Sequence, residues 1–445
     1  MIHLEELKSK IMESDEESLI SYVELFRPFD LASCVEELDK AEQLKLMKIV
    51  PAPLCAEIME YLEPELQYRI LYNLEETITS QILNEMSSDV VADMMLAIHR
   101  YQAVKLLNYL PEDYRAKVQT LMTFPEHTAG SLATVDYIAA RSSWTIEQTM
   151  QHFRKIGHDA EITSYVYVTG NKGELRGVVS LKELILTEPN TEISKIVTED
   201  VIYVPASMEQ EKAAELLSRY DLVALPVVDE QNRLIGVINV DDLIDVIQEE
   251  ATEDIQKLGG SQPLTATYFK SSVFQLYRKR IIWLLVLFAA EAYTGTVLRH
   301  YEETLSEVIA LSFFIPLLIG TGGNTGTQTV STLVRALAVG EVQFRDIFKV
   351  IRKEITTGLM TGASISLIAY ARAWMLGVET NIGLVVGITC MTIVLWASFV
   401  AAILPLILHK LKADPAVISG PFITTLVDGT GLIIYFSIAK IILQL

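Results

Sequence analysis

The chain has 445 residues, half of them hydrophobic, and its 36 Lys and Arg against 57 Asp and Glu give a formal net charge of −21. The negative charge lies before Ser271, where 23 basic and 47 acidic residues give a net charge of 23 − 47 = −24. The remainder has 13 basic and 10 acidic residues, or a net charge of +3. No nucleic acid is expected as a partner, because phosphate binding needs clustered Lys and Arg. The three cysteines lack CxxC spacing, which excludes a disulfide scaffold and a thiolate metal site.

The first predicted region is an acidic, all-helical N-terminal domain over residues 1–125. Its hydrophobic residues are spaced three and four apart, as in Leu66, Ile70 and Leu74, which is typical of helices that bury one face. Proline fits the first turn of a helix but breaks its interior. Five prolines therefore predict short helices joined by tight connections in a superhelix: Pro28, Pro51, Pro53, Pro64 and Pro111.

Residues 130–247 contain an internal repeat. The segments Tyr165–Ile185 and Ala224–Ile244 align without gaps at an offset of 59, and six of 21 positions are identical, among them Gly177 and Gly236. Each copy has the pattern strand, turn, strand, helix. The repeat resembles a tandem pair of CBS modules. That resemblance implies an α/β pair packed face to face, whose cleft often holds an adenine nucleotide in this family.

Residues 248–270 are predicted to form an acidic connecting helix that ends at a Gly-Gly pair, and residues 271–445 a transmembrane domain of five helices. Crossing a bilayer takes about 20 residues of helix, so a wholly soluble protein is excluded. The five apolar segments are about Ile281–Leu298, Leu305–Val334, Ile355–Leu376, Ile382–Leu408 and Ala416–Leu443.

Basic residues favour one orientation in the plasma (inner) membrane. The N-terminal residues MIHLEELKSK lack the apolar core of a secretory signal, so we expect the acidic region to stay in the cytoplasm. The positive-inside rule then places the N-terminus inside and the C-terminus outside. The basic residues that belong on the inner side are Arg278, Lys279, Arg280, Arg335, Arg345, Lys349, Arg352, Lys353, Lys410 and Lys412.

Asp428 is the candidate ion site within the membrane. It lies twelve residues after Ala416, or roughly 18 Å along a helix, near the bilayer midplane. A carboxylate there costs several kcal/mol unless it faces water, a partner or a cation. A bound hydrated cation is the simpler counter-charge, and the alternative is a protonated aspartate that hydrogen-bonds to a neighbouring helix.

The motif GTGGNTGTQ at 320–328 places small and polar residues in an otherwise apolar segment. Mg²⁺ takes oxygen ligands and keeps several waters, so one or two carboxylates with amides and hydroxyls suffice. If two chains met along an axis, two copies of Asp428 would face one ion. Close helix packing through the glycines is a second, compatible interpretation. The candidate pore-lining residues are Gly323, Asn324, Thr327 and Gln328.

Acidic residues also cluster before the membrane segments. Like charges three and four apart on a helix repel one another, and divalent cations would relieve that repulsion. A solvated acidic face is the alternative interpretation. The segment Glu249–Asp254 is the favoured cation site, because it stands directly before the membrane part.

The chain order resembles that of the MgtE-type magnesium transporter family. It runs from an acidic helical domain through a CBS pair and a connecting helix to membrane helices with an embedded aspartate. The specific motifs are GTGGNTGTQ (320–328), ATEDIQKLGG (251–260) and DPAVISGPFITTLVDGTG (414–431). The resemblance implies a passive, homodimeric Mg²⁺ channel that high internal Mg²⁺ closes, with Asp428 in the pore and Asp414 at its cytoplasmic mouth. It also implies Mg²⁺ ligands at Glu57, Asp89, Asp93, Glu211, Asp221, Asp242, Asp245, Glu250, Glu253 and Asp254.

The chain departs from the family pattern at a few positions. Val90 stands where the family usually has an Asp, Thr327 where it has an Asn, and His127 and Ala133 lie in an altered linker before the CBS pair. The expected consequences are a weaker helical-domain Mg²⁺ site and an altered hold on the hydrated ion. A rival function of another class is a membrane-tethered adenine-nucleotide sensor. The chain has no P-loop, GxSxG or HExxH motif, so no enzyme is expected.

Overall fold

In the computed structural model, which describes residues 4–13, 15–157, 160, 162–264 and 268–445, the chain forms two compact units. The first unit ends at Ile247 and the second runs from Gln248 to Leu445. The predicted connecting segment 248–270 therefore belongs to the second unit. Its residues 265–267 lie outside the described part of the chain.

Within the described residues, the first unit begins with ten short helices, as the proline spacing predicts. Pro28 and Pro64 are the first residues of their helices, and Pro51 and Pro111 stand directly before theirs. The helices are α1 (Leu4–Glu13), α2 (Glu16–Val23), α3 (Pro28–Glu37), α4 (Lys40–Ile49), α5 (Ala52–Glu60), α6 (Pro64–Asn73), α7 (Glu76–Glu85), α8 (Ser88–Ala97), α9 (Arg100–Leu107) and α10 (Glu112–Leu121).

Several helices pack against the second helix that follows them in the chain. Thus α3 contacts α5, α5 contacts α7, and α4 contacts α6. Buried polar side chains hold these turns together. Gln43 Nε2 donates to the Val35 carbonyl at 2.7 Å, and Thr79 Oγ1 donates to the Leu71 carbonyl at 2.9 Å. These carbonyls lie near helix C-termini, where the last turn has no partner of its own. The predicted all-helical stack is confirmed.

In the part of the chain that the structure describes, the rest of the first unit contains two three-stranded sheets of identical topology. In each sheet the first strand is parallel to the second and the second is antiparallel to the third. The strands are β1 (Tyr137–Arg141), β2 (Ile162–Thr169), β3 (Leu175–Ser180), β4 (Val204–Pro205), β5 (Ala224–Val228) and β6 (Leu234–Asn239). The helices are α11 (Ile146–Ile156), α12 (Leu181–Leu186), α13 (Gln210–Arg219) and α14 (Val240–Leu258), and of α14 only residues 240–247 belong to the first unit.

The predicted repeat is visible in the strand register. Val168 pairs with Gly177 in one sheet, and Val227 pairs with Gly236, 59 residues later, in the other. A Cβ atom at Gly177 would lie 2.5 Å from a backbone carbonyl oxygen, and one at Gly236 would lie 2.7 Å from another. Only glycine allows this approach of a neighbouring chain segment, which explains why both copies share it.

The second unit is helical. Among the described residues, four stretches are long and apolar enough to cross a membrane: Val273–His300, Ile309–Ala338, Thr380–Lys410 and Gly420–Leu443. Its helices are α15 (Val273–His300), α16 (Glu302–Glu307), α17 (Ile315–Ala338), α18 (Ile347–Met375), α19 (Thr380–Lys410) and α20 (Gly420–Leu443).

The predicted third span, Ile355–Leu376, corresponds to α18, a helix of 29 residues that is not among the four apolar stretches. Its first two turns carry Lys349, Arg352 and Lys353, which favour helix but lower its hydropathy. The count of five membrane helices therefore stays a prediction. The predicted second span, Leu305–Val334, is divided, because Leu305 lies in the short helix α16.

Candidate functional site

Asp428 lies in the third turn of α20 and is 6% exposed. Because the helix begins at Gly420 rather than Ala416, the residue is about 12 Å from the helix start, nearer that end than the sequence suggested. Its Oδ1 atom is buried and has no hydrogen-bond partner among the residues that the structure describes. A buried carboxylate oxygen without a protein donor needs water or a cation.

Helix α15 packs beside Asp428. A Cβ atom at the adjacent Gly429 would lie 2.5 Å from the Tyr293 ring and 3.4 Å from Thr294 Oγ1. Thr294 is 6% exposed, and its hydroxyl also has no partner within the described part of the chain. Glu291, one turn earlier, acts electrostatically on the Asp428 carboxyl. Neither Glu291 nor Thr294 is among the site residues predicted from the sequence.

Glycines of α17 bring that helix onto α20. A Cβ atom at Gly322 would lie 2.6 Å from Val427 Cγ1, and one at Gly326 would lie 2.4 Å from Ile423 Cγ2. The expectation of close packing through small residues is therefore confirmed for this helix pair.

The four candidate pore-lining residues lie on different faces of α17. Gly323 is buried, and a Cβ atom there would lie 2.8 Å from Thr424 Cγ2. Thr327 Oγ1 lies 3.5 Å from the Gly420 carbonyl oxygen. Asn324 and Gln328, one turn apart, are exposed in the single chain, so their amide groups are open to a solvent-filled space or to another chain.

Asp414 contacts a cation supplied by the protein itself. Lys257 Nζ donates to Asp414 Oδ2 at 2.6 Å and also forms an ion pair with Glu253. Burial alone would lower the pKa of Lys257, but the hydrogen bonds to the two carboxylates raise it above its ordinary value. Burial and the nearby charge of Asp414 raise the pKa of Asp254. Mg²⁺ at Asp414 would compete with this ammonium group.

In the first unit, Asp136, a carboxylate that was not predicted from the sequence, contacts the first residue of α8, next to the predicted Asp89. Asp89 is 9% exposed, and the backbone N–H of its neighbour Ser88 donates to Asp136 Oδ2 at 3.1 Å. Burial raises the pKa of Asp136, although the Ser88 hydrogen bond opposes the shift. Asp136 precedes β1 without helical spacing to other acids, so periodicity gave no signal for it.

Asp93 is a predicted Mg²⁺ ligand of the first unit whose surroundings change the pKa of its carboxyl. Desolvation, together with the charge of Glu126, raises its pKa to about 6, although the residue keeps a surface open to solvent. Such a carboxyl holds its negative charge weakly near neutral pH, and a bound cation would stabilise that charge. Val90, the departure from the family pattern, packs against the hydrophobic core.

The remaining candidates are spread over the two units. In the first unit, the exposed candidates are Glu57, Glu211, Asp221 and Asp245, and Asp242 is half-buried. In the second unit, Glu250 is half-buried. No group of three or more His, Cys, Asp or Glu side chains is arranged as a metal site in the described residues. The structure thus brings Lys257, Glu253 and Asp414 together, and it assembles none of the predicted carboxylate sets into a complete coordination shell.

An apolar helical unit with a buried carboxyl group, joined in one chain to a CBS pair and a stack of short helices, is typical of a multi-pass membrane protein. The family model of MgtE divalent cation transporters matches residues 315–438, that of the MgtE intracellular N domain matches 26–127, and that of CBS domains matches 129–188 and 193–249. The chain belongs to the MgtE family of magnesium transporters, which are not enzymes.

Curated relatives match over nearly the full length. The chain is 36% identical to the magnesium transporter MgtE of Thermus thermophilus over 98% of each chain, and 31% identical to that of Bacillus subtilis over 94% of this chain and 92% of the relative. A crystal structure of the cytosolic domain of the Mg²⁺ channel MgtE in complex with ATP matches 55% of this chain and all of that chain, with 34% identity and a TM-score of 0.52.

Proposed function

We propose that the chain forms a passive Mg²⁺ channel in the plasma membrane, as a homodimer with its N-terminus in the cytoplasm and its C-terminus outside. The observation that carries this proposal is the buried Asp428 carboxylate, whose Oδ1 has no partner within the described residues. A hydrated Mg²⁺ ion keeps its waters and needs only one or two carboxylates. Two copies of Asp428 facing one ion would supply them.

The alternative role for Asp428, a protonated side chain that holds two helices together, requires a hydrogen-bond partner. The neighbouring Thr294 hydroxyl is buried as well and also lacks a partner among the residues that the structure describes. Two orphaned polar groups in the contact between the same two helices favour a hydrated ion path over a dry helix contact.

The exposed amides of Asn324 and Gln328 support the same pathway from α17. Both side chains lie on one face of an apolar helix and offer carbonyl oxygens, which bind hydrated divalent cations. Thr327, near the first residue of α20, is proposed to lie at the pore entrance with Gly323 behind it.

Closure by cytoplasmic Mg²⁺ is proposed to act through the acidic residues before the membrane helices. An effector shifts a conformational equilibrium only through a difference in affinity between the two states, so these carboxylates should bind Mg²⁺ more tightly when the channel is closed. The proposed ligands are Asp89, Asp93, Glu57, Glu211, Asp221, Asp242, Asp245, Glu250, Glu253, Asp254 and Asp414.

An adenine nucleotide at the CBS pair is proposed as a second ligand. Two observations support it: the paired sheets of this chain, and the likeness to a cytosolic MgtE domain solved with ATP. Transport itself needs no nucleotide in this proposal, because the ion moves down its electrochemical gradient.

Mg²⁺ uptake by purified protein in liposomes tests the function. With a Mg²⁺ gradient and an internal indicator, vesicles that contain the chain should fill faster than empty vesicles. The rival function, a tethered nucleotide sensor, predicts equal rates. Nucleotide binding alone, without flux, would therefore favour the rival.

Limited proteolysis tests the sensing part of the proposal. At about pH 7.5, Mg²⁺ should slow cleavage of the first unit of the full-length protein, because it relieves repulsion between carboxylates. The pKa of Asp93 is raised from its ordinary value of 3.8 to about 6, so protonation of Asp93 stabilises the folded form as the pH falls through about 6. Protons should then compete with Mg²⁺, and protection should weaken at about pH 5.

Asp93→Asn provides the control for this experiment. The variant should lose part of the Mg²⁺ protection at about pH 7.5, and the remaining protection should vary less with pH. Equal cleavage with and without Mg²⁺ in the parent protein would contradict sensing by the first unit.

A further inference from the structure

Glu291 is an intramembrane carboxylate that the proposed function leaves without a role. It lies on α15, eleven residues after Arg280 and eight before Arg299, or about 16 Å and 12 Å along the helix from these charges. The residue is exposed in the single chain. A carboxylate at this depth that faced lipid would cost several kcal/mol, so its surroundings must include water, a partner or a cation.

Three contacts fix the register between α15 and α20. Trp283 Nε1 donates to Ser419 Oγ at 3.1 Å, Thr294 lies against Gly429, and the Tyr301 ring stacks on Phe436 with centroids 4.7 Å apart. The paired residues are 136, 135 and 135 positions apart, so the helices run in the same direction.

The same register places Glu291 level with residues 426 and 427 of α20, since 291 + 135 = 426 and 291 + 136 = 427. Asp428 is one or two residues further on, a difference of about 3 Å in height. Glu291 also shares a helix face with Thr294, three residues later, which is buried against α20. Glu291 therefore stands at the open edge of the contact that contains Asp428.

Charges and unpaired oxygens are found together at this contact between α15 and α20. The negative charge of Glu291 acts on the Asp428 carboxyl, which carries a charge of the same sign when it is ionised. The Oδ1 of Asp428 and the Oγ1 of Thr294 are both more than nine-tenths buried side-chain oxygens without a partner in the described chain. Two like charges and two orphaned oxygens fit a positive ion with its waters, since a cation supplies the missing charge and water supplies the missing donors.

We propose that Glu291 and Thr294 of α15 belong to the cation pathway, with Glu291 as a second carboxylate that attracts the hydrated divalent cation to Asp428. This inference rests on the proposed channel function. It assigns to each chain two carboxylates at nearly one height, so a dimer would present four to a passing ion. Such a set favours divalent over monovalent cations, because the attraction scales with the charge of the ion.

The test is Mg²⁺ uptake into proteoliposomes by the parent protein, Glu291→Gln, Glu291→Asp and Thr294→Val, over a series of external Mg²⁺ concentrations. Glu291→Gln should lower the initial rate by about tenfold and raise the half-saturating Mg²⁺ concentration, because one charge facing the ion is lost. Glu291→Asp should keep more of the rate than Glu291→Gln. Glu303→Gln, an exposed carboxylate on α16, is the matched control and should behave as the parent.

The outcomes separate this inference from the function on which it rests. If the parent protein transports Mg²⁺ and Glu291→Gln matches it in rate and half-saturation, the inference is overturned and the channel function stands. If the parent moves no Mg²⁺, both fail. If Glu291→Gln alters the elution volume or melting temperature and Glu291→Asp restores the fold without the rate, Glu291 serves contact between chains, which also overturns the inference.

Discussion

Asp428→Asn should reduce Mg²⁺ uptake into proteoliposomes by about a hundredfold, since a unit charge facing an ion in a partly screened site is worth roughly 2–4 kcal/mol. The substitution keeps the size and shape of the side chain and removes only its charge. Initial rates at equal protein density, measured with a Mg²⁺ indicator inside the vesicles, give the comparison.

Asp113→Asn makes the same chemical change at an exposed position of α10 and should leave uptake unchanged. Elution volume and thermal denaturation must match among the three proteins, so that a lower rate reports the loss of charge. Parent-like uptake by Asp428→Asn would show that Asp428 only connects helices.

Gly322→Ala should destabilise the second unit by about 1–3 kcal/mol, because overpacking a dense helix contact forces neighbours to move. The new Cβ atom would lie 2.6 Å from Val427 Cγ1 on α20 and 2.7 Å from Ile393 Cγ2 on α19. Side chains on two helices would have to move at once. A lowered melting temperature and a smaller folded fraction in detergent would measure this effect.

Gly320→Ala is the matched control on the same helix. A Cβ atom there would meet nothing within 4 Å, and alanine lowers the conformational entropy of the unfolded chain. The control should be neutral or more stable by about 0.5–1 kcal/mol. Equal melting temperatures for the two variants would contradict the close packing of α17 on α20.

The elements that the sequence predicted well are those whose signals are local. Pro28, Pro51, Pro64 and Pro111 stand at helix starts because proline tolerates few other helical positions. The repeat that contains Gly177 and Gly236 predicted two equal sheets, because register and bulge positions follow the same residue pattern.

Tertiary contacts account for much of what was missed. Lys257 lies among the acidic residues that the sequence analysis selected, but its partner Asp414 is 157 residues away, and no spacing rule connects them. Asp136 accepts a hydrogen bond from the backbone of Ser88, which lies 48 residues earlier in the chain. Glu291 is different: the rule that selected Asp428, an acid within an apolar helix, applies to it equally and would have found it.

Element boundaries were the weakest predictions. The third apolar segment was expected to begin at Ile355, whereas α18 begins at Ile347. The basic residues before Ile355 favour helix, but hydropathy alone places the start of the helix after them. The last segment was expected from Ala416, whereas Ser419 caps α20 and Pro421 lies in its first turn.

The passage of Mg²⁺ beside Asp428 is the central claim, and a high-resolution density map of the full-length protein in Mg²⁺, compared with a map in Mg²⁺-free buffer, tests it most directly. We expect density for an ion and its waters next to the Asp428 carboxylate in the first map only, and none there in Asp428→Asn. A side chain enclosed in a dry contact with α15, with no ion density in either map, would contradict it.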